Sequence, residues 1–301
     1  MEIAFATGLD RKSGVMRVLN LLGQSLEEKL RRSRKILIKP NFVSVWSPGC
    51  ATHPDAVEAI LEYIYSKFTP RKIILGEGSA MGDFKTGLEN YGYMDIIDKY
   101  DVELVDLNED DHVDLKIYDS SLSKSLKIPV AKTVVDSDFR ISICRPKTHD
   151  TVIVTLSIKN IVMGAVQKPF KSKVHQGYAA INLSIAELAE TLMPHLSVID
   201  GVEGMEGDGP VSGEIVKWGV FLAGLNALEV DVLTTWLMGF NPREIGYLYV
   251  LANKGYGTLE VPKLLSEVIG EKPEKYRRKF KPHRSYIYQL SWRDSLEKTG
   301  Y

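Results

Sequence analysis

The sequence predicts an α/β fold, a mainly parallel sheet with helices on both faces and a small antiparallel hairpin excursion. Three observations predict it. Short β-rich apolar runs alternate with longer stretches of helical period. The runs are almost continuously apolar, as in Lys35–Lys39 (KILIK), which suits strands covered on both faces. Strand–helix alternation then calls for parallel neighbours joined by crossover helices.

In chain order, strands are expected at Ile3–Ala6, Lys35–Lys39, Lys72–Leu75, Val102–Leu107, Phe139–Cys144, Leu196–Asp200 and Lys217–Ala223. Between the second and third, His53–Phe68 puts Val57, Ile60, Leu61, Ile64 and Phe68 on one helical face, with Thr52 and Pro54 as a start signal. Ala179–Met193 repeats that period with Ile181, Ile185, Leu188 and Leu192. Segment 115–130 reads as the hairpin. Residues 1–262 form one α/β domain in this reading, and 263–301 a basic C-terminal extension. Within the extension, EKPEKYRRKFKPHR sets seven Lys or Arg beside two Glu. It is expected to pack on its own or a neighbouring subunit through Tyr286, Tyr288 and Trp292, which leaves a homo-oligomer open.

Composition narrows the function. The 301 residues carry 38 Lys and Arg against 39 Asp and Glu, a net charge of −1, with 44% apolar residues. Such a chain has a core and is not disordered. It lacks the basic excess of a nucleic-acid coat, so nucleic-acid binding rests only on the basic tail. Trp218–Phe240 carries Asn226, Glu229 and Asp231, which argues against a membrane span. The N-terminus shows no signal-peptide pattern. A soluble, cytoplasmic protein is expected. Two cysteines, Cys50 and Cys144, are too few for an iron–sulfur cluster held within this chain.

Ligands of open α/β sheets bind beyond the carboxyl ends of the strands, so the loops there define the candidates. Lys39 and Asn41 follow the second strand, Gly76 and Gly78 the third. The spacing GxGxxxG departs from a dinucleotide fingerprint and favours a tight turn. RPKTHDT follows the fifth strand, with Lys147 and His149 two apart in extended chain, and Lys159 and Asn160 come ten residues later. Two lysines, an imidazole and an amide suit a small carboxylate or phosphate, with His149 as proton-transfer group. Lys173 and His175 precede a helix and suit a lid over that anion. DGVEGMEGDGP offers Asp200, Glu206 and Asp208, which with Asp231 form a possible oxygen site for a divalent cation such as Mg²⁺; Asp200 and Glu206 also serve as catalytic carboxylates. Lys39, Gly76, Gly78, Lys147 and Asp200 are expected along one sheet edge. HExxH, GxSxG, Walker A and CxxC patterns are absent from the sequence.

The segments ILIKPNF, THPDAVEAILEYI, IILGEGS, PKTHDTVIVTLSIKNIVMG, VIDGVEGMEGDGP and AGLNALEVDVLTTWLMG together resemble the domain of unknown function 362 family, over about Lys35–Gly257. The resemblance points to Lys39, Asn41, Lys147, His149, Lys159, Asn160, Asp200, Gly201, Glu206, Gly209, Pro210 and Asp231. Many members carry ferredoxin-type iron–sulfur segments, which this chain lacks. Two functions are therefore expected to compete: an enzyme acting on a small anionic metabolite, and a redox accessory protein docking a ferredoxin-like partner.

Overall fold

The computed structural model describes residues 2–69 and 72–297. Its strands are β1 (Ile3–Thr7), β2 (Ile36–Lys39), β3 (Ile73–Glu77), β4 (Glu103–Asp106), β5 (His112–Ile117), β6 (Leu126–Ala131), β7 (Phe139–Cys144), β8 (Lys147–His149), β9 (Ile153–Thr155), β10 (Leu196–Glu206), β11 (Glu214–Gly224) and β12 (Val268–Gly270). Among the described residues one sheet runs β12-β1-β11-β10-β7-β2-β3-β4, with β8 and β9 attached beside β10. Strands β10, β7, β2, β3 and β4 are mutually parallel, while β11 runs antiparallel to both β1 and β10. The hairpin β5–β6 is a separate antiparallel pair. The fold is thus mixed α/β with a mostly parallel sheet.

From β2 the chain proceeds outward to β3 and β4, then returns to β7 and β10 on the other side. The crossover direction reverses between β2 and β7, and such a switch point opens a crevice at the carboxyl ends of the strands. Helices α1 (Arg11–Arg32) and α2 (Pro54–Lys67) cover one face. Helices α3 (Ser157–Ala165), α4 (Tyr178–Leu192), α5 (Ala227–Leu237) and α6 (Gly246–Asn253) cover the other. Strand period two sorts the core accordingly. Ile36, Ile38, Ile141 and Val198 pack with α1 and α2, while Leu37, Cys144 and Ile199 pack with the second group.

Two departures from the sequence reading have physical causes. Helix α1 is not among the sequence-predicted elements; Gly14 and Gly23 interrupt its pattern, and Gly23 has non-helical angles (φ 49°, ψ −130°). Gly14 is needed where α1 crosses the sheet, since a Cβ there would lie 2.1 Å from the Phe221 ring. Residues 200–206 are not a loop but the second half of β10, paired with β11 across a register shift between Gly201 and Glu203. The C-terminal extension packs on its own chain: β12 pairs with β1, and Phe280 and the expected anchor Trp292 are buried. Tyr288 is 71% exposed and anchors nothing. Residues 298–301 of that extension lie outside the described residues.

Candidate active site

Helix α3 is the platform of the site. It sits close on the sheet because β7 and β10 present serines to it. Ser142 Oγ donates to Ser157 O (3.0 Å), and Ser157 Oγ to Ser197 Oγ (2.6 Å). Its first turn has no cap from its own chain segment. Asp231 of α5 supplies one, accepting from Ser157 N and Ile158 N, both at 2.9 Å. Burial raises the Asp231 pKa to about 7 against those two bonds. The helical period then buries Ile158, Ile161, Val162 and Ala165 and turns Lys159, Asn160, Met163 and Gly164 to a cavity of about 220 Å³.

The opposite wall comes from the strand ends. Lys39 is fully buried, its Nζ 2.9 Å from both Glu77 carboxylate oxygens, 2.8 Å from Pro40 O and 2.7 Å from Asn160 Oδ1. Burial lowers its pKa, and Glu77 opposes that. Glu77 also accepts from Phe42 N (2.7 Å) and Gly78 N (2.8 Å). Glycine is required at 164, where a Cβ would meet Lys39 Cε at 1.8 Å. It is required at 78 because a Cβ there would lie 2.3 Å from Gly164 O. Gly76 lies under Leu37 and Leu107, away from the cavity.

Four lysines crowd this region, and their partners differ. Lys147 is buried and donates to Asn41 Oδ1 and to Cys50 O (2.6 Å), so it supports the wall without lining it. Asn41 in turn donates to Asn160 Oδ1 (2.9 Å). Lys171 donates to Met163 O (2.6 Å) and Val166 O. Lys159 alone of the four has no acceptor or counter-ion among the described residues, although it is 7% exposed and lines the cavity. Burial lowers its pKa to about 7, opposed by Asp150 and reinforced by Lys147 and Lys39. The Thr155 hydroxyl, also in the cavity wall, has no hydrogen-bond partner either.

Two imidazoles face these groups. His149 is buried, and burial followed by the Lys159 charge pulls its pKa down to about 3, with Asp150 opposing. Its Nδ1 faces Thr151 N–H (3.1 Å), Thr151 Oγ1 (3.0 Å) and the Asp150 carboxylate. The Thr151 N–H bond selects the neutral ring with its proton on Nε2, whereas Asp150 favours a proton on Nδ1. Asp150 Oδ1, 3.0 Å from the same Nδ1, is placed to stabilise a protonated ring and is itself held ionised. His175 stands at the cavity rim. Its Nδ1 lies 3.0 Å from Lys171 O, which can only accept, so its Nε2 is the bare nitrogen. Enclosure on its protein side and Lys159 lower its pKa as well. Neither Nε2 has a partner among the described residues; the His175 Nε2 is an acceptor, and the His149 Nε2 is a donor in the tautomer that Thr151 N–H selects.

The remaining candidates are elsewhere. Asp200 ends on the α1 face, paired with Arg11 Nε (3.1 Å). Glu206 accepts from Lys281 N (3.3 Å), and Asp208 lies 3.5 Å from both His283 Nε2 and Arg284 Nε. Asp231 is the cap of α3. The four carboxylates proposed as a cation site are therefore dispersed and separately engaged, and among the described residues no three His, Cys, Asp or Glu come together as metal ligands. Lys173 is exposed, stacked on the Phe170 ring. Sequence reasoning left Glu77, Lys171, Asp150 and Thr155 out of the site. Glu77 sat within the glycine loop as its one acid, and that contrast was a usable signal.

Residues 36–236 match the family described as "Domain of unknown function (DUF362)". The chain belongs to this family. Every cavity-lining residue, from Lys39 to Pro210, falls within the DUF362 match. A thylakoid-associated protein of Synechocystis sp. is 26% identical over 217 residues, covering 70% of this chain and 65% of that protein. The lactate racemase apoprotein of Thermoanaerobacterium thermosaccharolyticum shares the fold, with a TM-score of 0.51 at 13% identity over 74% of this chain. This DUF362 chain spans 53% of that racemase chain. No helix among the described residues is long and apolar enough to cross a membrane.

Proposed function

We propose that this protein is an enzyme that moves a proton on a small organic anion, with a carboxylate or phosphate as the anchoring group. The observation that carries the reading is Lys159: a buried amine with neither a hydrogen bond nor an ion pair among the described residues, at the wall of a cavity lined by two imidazoles. A buried cation without a partner is unfavourable, and a bound anion would remove that cost. The cavity has room for about seven waters' worth of ligand, which suits a small metabolite.

The roles follow from the protonation states. Lys159 holds the anionic group, with the Thr155 hydroxyl as a second donor. His175, with Nε2 bare, takes a proton from carbon next to a carboxylate or carbonyl. His149, neutral with its proton on Nε2, hydrogen-bonds the oxygen on which negative charge develops, as a neutral imidazole can. Lys39, Glu77, Asn41, Asn160 and Lys147 form the buried network that fixes the wall. Isomerase or lyase chemistry fits this set, and each proton taken by His175 returns to substrate or solvent.

The test has two stages. Acetate, malonate, lactate and inorganic phosphate are screened for a rise in Tm, then each stabilising organic anion is incubated with the protein in D₂O and its C–H signals followed by NMR. Exchange is expected with the wild type, lowered by about 100-fold or more in His175→Asn, and the Tm response is expected to vanish in Lys159→Ala. An anion response that survives Lys159→Ala, or no exchange in any organic anion that binds, would overturn the reading.

A further inference from the structure

His149 is held by a part of the chain beyond the family match. The hairpin β8–β9 pairs His149 with Ile153. Ile153 has φ 66°, a left-handed conformation that β-branched residues avoid. Such a residue keeps its conformation only where neighbours enforce it. The neighbour here is Gln289, in the short helix Tyr286–Gln289. Its Oε1 accepts from Ile153 N–H (2.5 Å), and its Nε2 donates to His149 O (2.9 Å) and to Ser285 Oγ (2.8 Å). Ser285 Oγ donates to Asp150 O (2.8 Å). One amide group therefore ties both ends of the 149–153 turn, at a position that is 1% exposed.

The amide is itself anchored. The Trp292 indole N–H donates to Glu244 O (2.8 Å), and the Tyr286 hydroxyl to the Glu244 carboxylate (2.5 Å). Upstream, Phe280 is buried against Trp218, and Gly207 N donates to Lys281 O (2.7 Å), so the same segment braces the acidic turn leading to Pro210. Pro210 lines the cavity.

We propose that Gln289 is a positioning residue for the candidate site, holding the strained 149–153 turn and so presenting the His149 ring to the cavity. Its functional meaning rests on the role given to His149 above; the tether itself does not. Three titratable groups surround the ring: Asp150 from its own turn, Lys159 from α3, and His175 from the rim. Asp150 moves with the turn, whereas Lys159 and His175 are held by other elements, so a displaced turn changes the surroundings of the ring. Loosening that turn admits water to a ring that is now 4% exposed, which relieves the desolvation keeping it neutral.

The experiment follows the His149 ring by NMR in the full chain with labelled imidazoles and no added anion. In the wild type the ring is expected to stay neutral down to about pH 3. Gln289→Ala is expected to move its midpoint up by about one pH unit or more, toward the ordinary 6.5. Leu19→Ala, in the core on the opposite face, lowers Tm without moving it. Adding Ile153→Gly to Gln289→Ala is expected to bring the midpoint back, since glycine adopts the left-handed turn unaided. If Gln289→Ala does not fold, Ser285→Ala, which loses the bond to Asp150 O, is expected to give a smaller shift of the same sign. A midpoint unmoved in Gln289→Ala (or in Ser285→Ala, should that be the variant that folds), or equal shifts with Leu19→Ala, would overturn the proposal. An acetate or phosphate response unaffected by Lys159→Ala would instead remove the functional reading while leaving the tether standing.

Discussion

The two faces of one sheet edge use buried charge in opposite ways. On the α1 face, Asp200 and Glu203 meet Arg11 at 3.1 and 2.7 Å, and Arg145 adds a second contact to Glu203 at 3.2 Å. Two acids and two guanidinium groups close on one another. On the α3 face, Lys39 meets Glu77, Lys147 and Lys171 meet oxygens of the wall, and Lys159 makes no hydrogen bond or ion pair among the described residues, with Asp150 acting on it only at longer range. The first cluster is matched acid to base, although Arg145 Nε stays buried without a hydrogen-bond partner. The second holds a lysine without an ion pair among the described residues, and in the proposed reading a bound anion supplies the missing partner.

The largest way to break the comparison is Asp200→Ala. Removing one partner of a buried pair leaves uncompensated charge and should cost about 3 kcal/mol or more. The anion response on the other face should be unchanged; its loss would show that the two faces are one site. Gly164→Ala is next. Alanine favours a helix by about 1 kcal/mol, but its Cβ would collide with Lys39, which three partners prevent from withdrawing. Overpacking should win by about 2 kcal/mol, read as a lowered midpoint in urea. The smallest effect has the opposite sign. Lys159→Met should raise Tm by roughly 3 °C near pH 6, because it removes an unpartnered buried charge.

That last effect has a defined pH window. The folded pKa of Lys159, about 7, lies below its ordinary value of 10.5. Between those values the unfolded chain binds more protons, so this group's destabilisation fades as pH rises through the window. The advantage of Lys159→Met should therefore be full below pH 7 and shrink toward pH 10. A pH-independent advantage would mean that packing, not charge, separates the variants.

Much of this was legible in the sequence. The apolar runs of β2, β3 and β7 need two covered faces whatever follows them, and the switch-point rule put Lys39 and the residues after β7 at one crevice. Asp200 was placed at the right edge but not on the right face, because strand parity says which residues share a face and not which helices cover it. Val198 and Asp200 point one way and Ile199 the other, which a loop reading of residues 200–206 conceals. The carboxylates of the glycine-rich segment looked like cation ligands because their partners, Lys281, His283 and Arg284, lie about seventy residues further on. Neither could the tautomers be read, since they depend on the carbonyl of Lys171 and the amide of Thr151.

The position of Gln289 outside the family match has a consequence for divergence. Two relatives could share every side chain of the cavity and still differ in the acidity of the same imidazole, because the final helices set how tightly its turn is gripped. Sequence drift in the last twenty or so residues would then act as a tuning screw on chemistry that happens elsewhere. Exchanging those residues between relatives is a route to altered pH response that leaves the ligand's own contacts untouched.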